Sequence, residues 1–218
     1  MENTQTAETP ASGIVLIITA PSGAGKSSLV EALVRQDSDI AISISHTTRN
    51  PRPGDVDGRQ YHFIDEADFL QKQQRGDFLE WAHVHGNYYG TSRQTILERV
   101  KAGYDTVLEI DWQGAAQIRQ LLPEAVSVFI LPPSMEVLEE RLKKRGQDSL
   151  EVIKKRLQVA KAEISQAKSF DYVIINDDFE LALSQLVSIV RAARCTRARQ
   201  FARHAALFEH FGIASVTG

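Results

Sequence analysis

The 218-residue chain carries 25 Lys and Arg against 28 Asp and Glu, a formal net charge of −3. That balance argues against a general nucleic-acid-binding surface, so recognition of any nucleotide is expected to be local. With 43% hydrophobic residues, a single cysteine and no apolar run near the ~20 residues that span a bilayer, the chain reads as a soluble globular protein of a reducing, cytoplasmic compartment, without a membrane segment or an intramolecular disulfide.

Residues 1–13 are polar without a basic start, and read as a disordered tail rather than a signal peptide. The β-branched run Ile14-Val15-Leu16-Ile17-Ile18-Thr19 then leads into Ala20-Pro21-Ser22-Gly23-Ala24-Gly25-Lys26-Ser27, and residues 28–36 read as a helix. Strand, small-residue loop, lysine, hydroxyl and helix is the layout of a phosphate-binding P-loop, whose backbone N–H groups and helix N-terminus face anionic oxygens. In that reading Lys26 reaches the β- and γ-phosphates and the Ser27 hydroxyl holds Mg²⁺. The usual pattern G-x-x-x-x-G-K-[ST] opens on glycine, whereas this chain has Ala20 there. The tight part of the loop is Gly23-Ala24-Gly25, where the backbone must approach phosphate closely and glycine permits φ > 0. The alternative is a glycine-rich turn with Lys26 solvated.

Residues 41–45 alternate like a half-buried strand. The turn-rich stretch 46–58 holds Arg49, Arg52 and two prolines, and cannot continue a helix or a central strand. Short strands at 61–64 and 78–84 flank a helix at 66–75, making a small α+β insertion that ends near Asn87-Tyr88-Tyr89-Gly90. Helix follows at 92–102, buried strand at 106–110, helix at 113–122 and strand at 126–131. Residues 134–170 are helical and highly charged, broken at Arg145-Gly146-Gln147-Asp148. A last strand is expected at 172–176, and one long helix from 180 to about 204. The alternation predicts an α/β fold: a P-loop NTPase-type, three-layer parallel sheet with helices on both faces.

The succession resembles the guanylate kinase family. The residues that carry it are the P-loop, Ser45-His46-Thr47-Thr48-Arg49-Asn50-Pro51-Arg52, Tyr61, Glu80-Trp81, Asn87-Tyr88-Tyr89-Gly90-Thr91, Glu109-Ile110-Asp111-Trp112-Gln113-Gly114, Arg145-Gly146 with Arg156, and Ile175-Asn176-Asp177-Asp178. The match runs from about residue 14 to 190, and Ala20 with the Ser27-Ser28 pair is similar to bacterial members. The resemblance implies transfer of the γ-phosphate of MgATP to GMP and dGMP, giving ADP and GDP. It implies a core of 14–44, 92–133 and 157–218, a GMP-binding insertion at 45–91 and a helical lid at 134–156. MgATP is expected on Ala20, Pro21, Ser22, Gly23, Ala24, Gly25, Lys26, Ser27 and Ser28, with Arg141 and Asn176. Lys26, Arg49, Arg145 and Arg156 are the expected catalytic group.

The acceptor residues can also be argued from chemistry. Planar guanidiniums bind phosphate oxygens bidentately, which suits Arg49 and Arg52, and the Tyr61 and Tyr89 phenols can donate to the same oxygens. The plainer reading of both arginines is exposed loop residues. Guanine offers two donors, N1–H and the 2-amino group, and one acceptor, O6; a carboxylate matches the donors and hydroxyls the acceptor. By resemblance Glu80 takes that donor edge, with Ser45 and Thr91 as hydroxyl partners; Glu80 could instead face outward from a half-buried strand. Glu109 and Asp111 fall on one side of a strand's C-terminal end, where open parallel sheets bind ligands. Resemblance assigns Asp111 to guanine or its water shell and Glu109 to the metal and water network, while both could be acids capping the next helix.

His46, His62, His83 and His85 are too spread to make a convincing metal set. Arg191, Arg194, Arg197, Arg199 and Arg203 read as a charged face of the last helix, with a partner site or homo-oligomer contact as the lesser alternative. Two rival functions remain: a non-catalytic scaffold of guanylate-kinase type, against which the intact Gly23, Gly25, Lys26 and Ser27 count, and a P-loop kinase with another acceptor, against which Ser45, Glu80 and Thr91 count.

Overall fold

The computed structural model describes residues 13–84, 86–144 and 150–213. In chain order the elements are β1 (Val15–Thr19), α1 (Lys26–Gln36), β2 (Ile40–Ile42), β3 (His46–Thr47), β4 (His62–Phe63), α2 (Glu66–Gln74), β5 (Phe78–Val84), β6 (Asn87–Ser92) and α3 (Arg93–Lys101). Then follow β7 (Asp105–Glu109), α4 (Trp112–Leu121), β8 (Val126–Leu131), α5 (Met135–Lys144), α6 (Leu150–Ile164), a 3₁₀ turn (Ser165–Ser169), β9 (Tyr172–Ile175), α7 (Phe179–Arg194), α8 (Arg197–Arg203) and α9 (Ala205–His210).

Every residue of β1 is buried, as expected of a β-branched run covered on both faces. It is the central strand of a parallel five-stranded sheet of order β2-β7-β1-β8-β9. One face packs Leu16, Ile18, Val128 and Ile174 on Leu29 and Leu33 of α1 and Leu186 and Val190 of α7. The other packs Val15, Ile17 and Leu108 on Ile96 of α3 and Ile118 of α4. These are the three predicted layers. Register places Ile18 between Glu109 and Val128, so the loop leaving β1 and the end of β7 open onto the same edge.

Residues 46–92 build a second sheet of order β4-β3-β6-β5. Its core is aromatic: Phe69 of α2 is fully buried and stacks on Phe78 and Tyr88, with ring centroids 4.5 and 5.2 Å away. Leu138 and Leu142 of α5 pack with Ile153 and Ala160 of α6 in a third, smaller cluster. Among the described residues no helix is long and apolar enough to cross a membrane.

Three elements differ from the sequence expectation. The strand expected at 41–45 is divided between the sheets: β2 pairs with β7, the Ser43 N–H still donates to Val107 O at 2.9 Å, and the chain re-enters pairing at His46 in β3. Alternation continues unbroken through such a transfer, so it gives no warning. Residues 87–92, read as the end of the insertion, are β6, the strand that joins β3 to β5. The long final helix stops at Arg194, because Thr196 takes extended backbone (φ −60°, ψ 145°) and α8 starts afresh. Two arginines of the expected charged face are turned onto their own chain. Arg194 pairs with Asp37 and Asp105 at 2.6 Å each, and Arg199 donates to Gly13 O at 2.9 Å.

Candidate active site

The loop after β1 takes its shape from two glycines, Gly23 and Gly25, both at φ +94°. A side chain would be strained at either. A β-carbon on Gly25 would also strike the Asn176 amide, and one on Gly23 would press on Leu138 and Leu142. Gly25 stands at the N-cap of α1, whose first turn holds no acidic residue, so the helix's positive end faces the loop uncompensated. Lys26 Nζ lies 4.0 Å from Glu109 Oε2, and the Ser27 hydroxyl donates to that same oxygen at 2.9 Å. The parallel pairing of β1 with β7 sets Glu109 there. A hydroxyl and a carboxylate side by side are hard oxygen donors of the kind Mg²⁺ takes, so the residues present fit that ion.

The opposite wall comes from the small sheet and its loops. Asp55 organises the arginine loop: its Oδ2 accepts from Arg49 Nη2 and from the Arg52 N–H, both at 2.8 Å. The Arg52 N–H bond first, and then the Arg49 guanidinium, hold the Asp55 carboxyl below the usual range against the effect of burial. Arg49 Cζ also lies 5.4 Å from the Tyr61 ring centroid, and Tyr61 meets Tyr89 edge-on at 5.7 Å. Burial, with smaller contributions from Tyr89 and Glu109, pushes the Tyr61 hydroxyl up to about 12, so it stays a donor at neutral pH.

Glu80 is only 3% exposed. Its Oε1 accepts from Thr91 Oγ1 at 2.5 Å, and that hydroxyl lies 3.4 Å from Ser45 Oγ. Burial pushes the Glu80 carboxyl up to about 7 against the pull of the Thr91 bond. A β-carbon on Gly114 would collide with Glu80 Oε2, so α4 approaches the carboxylate as closely as backbone allows. The outward-facing alternative for Glu80 is thereby excluded. Asp111 does cap α4, accepting from the Gly114 N–H and from Gln113 Nε2 at 3.0 Å each, while still lining the cleft. The cap of α4 is Asp111 and not Glu109, which accepts from Ser27 instead.

One cleft of about 450 Å³ joins the two walls. It is lined by Ala20, Pro21, Ser22, Gly23, Gly25, Lys26, Ser27 and Ser28 on one side, and by Ser45, Arg49, Arg52, Tyr61, Glu80 and Tyr89 on the other. Glu109, Asp111 and Arg141 also line it. Three expected contact residues stand behind the surface instead. Ala24 is fully buried with its N–H turned to Pro21 O, and Thr91 is fully buried behind Glu80. Asn176, 5% exposed, donates from Nδ2 to Ala24 O at 2.8 Å, so its amide braces the loop from the rear rather than reaching for a base. Arg141 Nη2 donates to the Asn176 carbonyl at 2.9 Å, leaving Nη1 buried without a hydrogen bond among the described residues, and Arg156 Nη1 donates to Ser22 Oγ at 3.3 Å. Arg145 lies outside the described residues.

Sequence reading missed Glu163 of α6, which lines the cleft half-buried. Burial and the neighbouring Asp111 raise its carboxyl pKa, with Lys26 opposing. Its one signal is a place two turns beyond Arg156 on the same helix face, hidden in a segment whose charge density reads as solvent-facing.

A phosphate loop on the central strand of a parallel sheet, facing a second wall of guanidiniums and a buried carboxylate across one cleft, defines the class: a P-loop phosphotransferase. The guanylate kinase family model matches residues 12–193. The guanylate kinase of Cupriavidus metallidurans is 55% identical over 213 residues, which are 97% of this chain and 99% of that one. The guanylate kinase of Bordetella pertussis is 54% identical over 202 residues, 93% of this chain and 94% of that one. The crystal structure of guanylate kinase from Anaplasma phagocytophilum superposes with a TM-score of 0.77 at 34% identity, covering 93% of this chain and 97% of that one. The chain belongs to the guanylate kinase family.

Proposed function

We propose that this enzyme transfers the γ-phosphate of MgATP to GMP, and to dGMP, as a cytoplasmic nucleoside monophosphate kinase with ATP and GMP as its partners. The observation that carries the reading is the single cleft with a phosphate loop on one wall and a buried, hydroxyl-bonded Glu80 on the other. The triphosphate lies along residues 20–28, where backbone N–H groups, the end of α1 and Lys26 meet its oxygens. Ser27 and Glu109 would hold Mg²⁺, which neutralises charge on the β- and γ-oxygens when bound. Arg49, Arg52, Tyr61 and Tyr89 hold the acceptor phosphate, and Arg49 leaves Asp55 in part to do so. Glu80 accepts from guanine N1–H and the 2-amino group, with Ser45 beside it; Asp111 supports the same edge. Adenine would set an acceptor nitrogen against the carboxylate and leave a buried group unpaired.

No covalent intermediate is required. Alignment of the acceptor oxygen with the γ-phosphorus and charge neutralisation by Lys26, Arg49, Arg145 and Arg156 supply the catalysis. In this scheme residues 45–91 carry GMP and residues 134–156 act as the lid over the core of 14–44, 92–133 and 157–218. An ADP-release assay with GMP, dGMP, AMP, CMP and UMP tests the reading. GMP and dGMP are expected to be used far better than the rest; equal turnover of AMP would overturn it.

A further inference from the structure

Glu80 sits immediately after an irregularity. The pairing of β5 with β6 shifts register between Phe78 and Glu80, so the ladder does not by itself fix how deeply the carboxylate projects. Among the described residues β5 is the edge strand, with no strand on its other side. The Trp81 peptide faces that open edge, and the side chain of Gln117 on α4 takes both of its polar groups. The Trp81 N–H donates to Gln117 Oε1 at 3.2 Å, and Gln117 Nε2 donates to Trp81 O at 2.7 Å. One amide thus does what a neighbouring strand would do, pairing a donor and an acceptor on a single residue. One turn earlier on the same helix, Gly114 abuts Glu80 Oε2. The strand segment carrying Glu80 is therefore held on α4 at two points, one of contact and one of hydrogen bonding. Gln117 does not itself line the cleft.

We propose that Gln117 is a positioning residue for base recognition: by seating the Trp81 peptide it fixes the preceding residue, Glu80, at the depth from which its carboxylate meets the guanine edge. The proposal rests on Glu80 being the guanine reader. It predicts that Gln117 governs GMP affinity and base selectivity and leaves the ATP half alone, which a residue serving only stability would not do.

The test is steady-state kinetics of the full-length enzyme. Gln117→Met keeps the side chain's length and removes both bonds; the KM for GMP should rise about tenfold, with kcat and the KM for ATP within about twofold of the parent. Gln117→Glu keeps an acceptor for the Trp81 N–H and loses the donor to its carbonyl, so it should fall between; it carries the test alone if the methionine variant does not fold. In a Glu80→Gln background, Gln117→Met should add nothing to the KM for GMP. Equal rises in both KM values, an unchanged KM for GMP, or effects of Gln117→Met and Glu80→Gln that multiply would each overturn the proposal. Wild-type turnover of AMP at the GMP rate would instead overturn the role of Glu80, a result separable from any of these.

Discussion

The two walls of the cleft are built by opposite strategies. The donor wall of the proposed scheme is one contiguous stretch, 20–28, shaped by two glycines at φ +94°. The other wall gathers Ser45, Arg49, Tyr61, Glu80 and Tyr89 from strands and loops spread over residues 45–91, and it presents side chains to the cleft; on the proposed reading these do the recognising. A backbone cradle fits any nucleoside triphosphate's phosphates. A side-chain wall distinguishes one base from another. Damage to the first should therefore lower the rate with every acceptor alike, and damage to the second should change which acceptor is preferred.

The largest effect is expected on the donor wall. Lys26→Ala should lower kcat by about 10³-fold with GMP binding close to unchanged, measured by turnover and by calorimetry of GMP on the variant. Retained turnover in that variant would break the comparison at once.

Next in size, Glu80→Gln should lower kcat/KM for GMP by roughly 10²-fold while kcat/KM for AMP holds or rises, because a neutral amide no longer favours two donors. Glu80 also has a pH signature. Its folded pKa of about 7 stands above the ordinary 4.5, so the unfolded chain releases this proton first. The stabilisation from the protonated form is complete below 4.5 and is lost as pH rises to about 7. Melting temperatures of wild type should fall across that window relative to Glu80→Gln. GMP affinity should run the other way, strengthening as pH rises through 7 and the carboxylate ionises, with the glutamine variant lacking that component.

The smallest effect concerns the place where the walls meet. Glu163 shares the cleft with Lys26 and Asp111, and Lys26 opposes the rise of its carboxyl pKa; on the proposed reading that carboxylate would compete with phosphate for the lysine. Glu163→Gln should lower the KM for ATP about threefold, with the KM for GMP unchanged. A higher KM for ATP would mean that this carboxylate helps the nucleotide rather than opposing it.

The same contrast explains what the sequence revealed. Residues 14–28 are legible because strand, loop and helix follow one another and each step has a local cause. The acceptor wall is legible only as residue types in a family's order. Its geometry depends on a strand that changes sheets between Ile42 and His46 and on β6, whose Asn-Tyr-Tyr-Gly run resembles a turn. Glu163 and Gln117 escaped for a related reason: each is a polar residue on an amphipathic helix, and periodicity identifies the buried face without saying that a polar residue beside it meets another element. The sequence marks Asn176 as a site residue without giving its direction; in the fold its amide turns to the back of the loop.

That last bond has a consequence for how the molecule assembles. Gly25 leaves just enough room for the Asn176 amide, which joins Ala24 across 152 positions of chain. The segment with the most local signature is thus completed by one of the most distant contacts, and contacts of that separation form late because a long loop must close first. During synthesis the residues that define the phosphate cradle emerge well before Asn176, so their brace is in place only after β9 has been made. Competence to bind ATP is in this way tied to completion of the core: a partly made chain displays the cradle's sequence without its rear support.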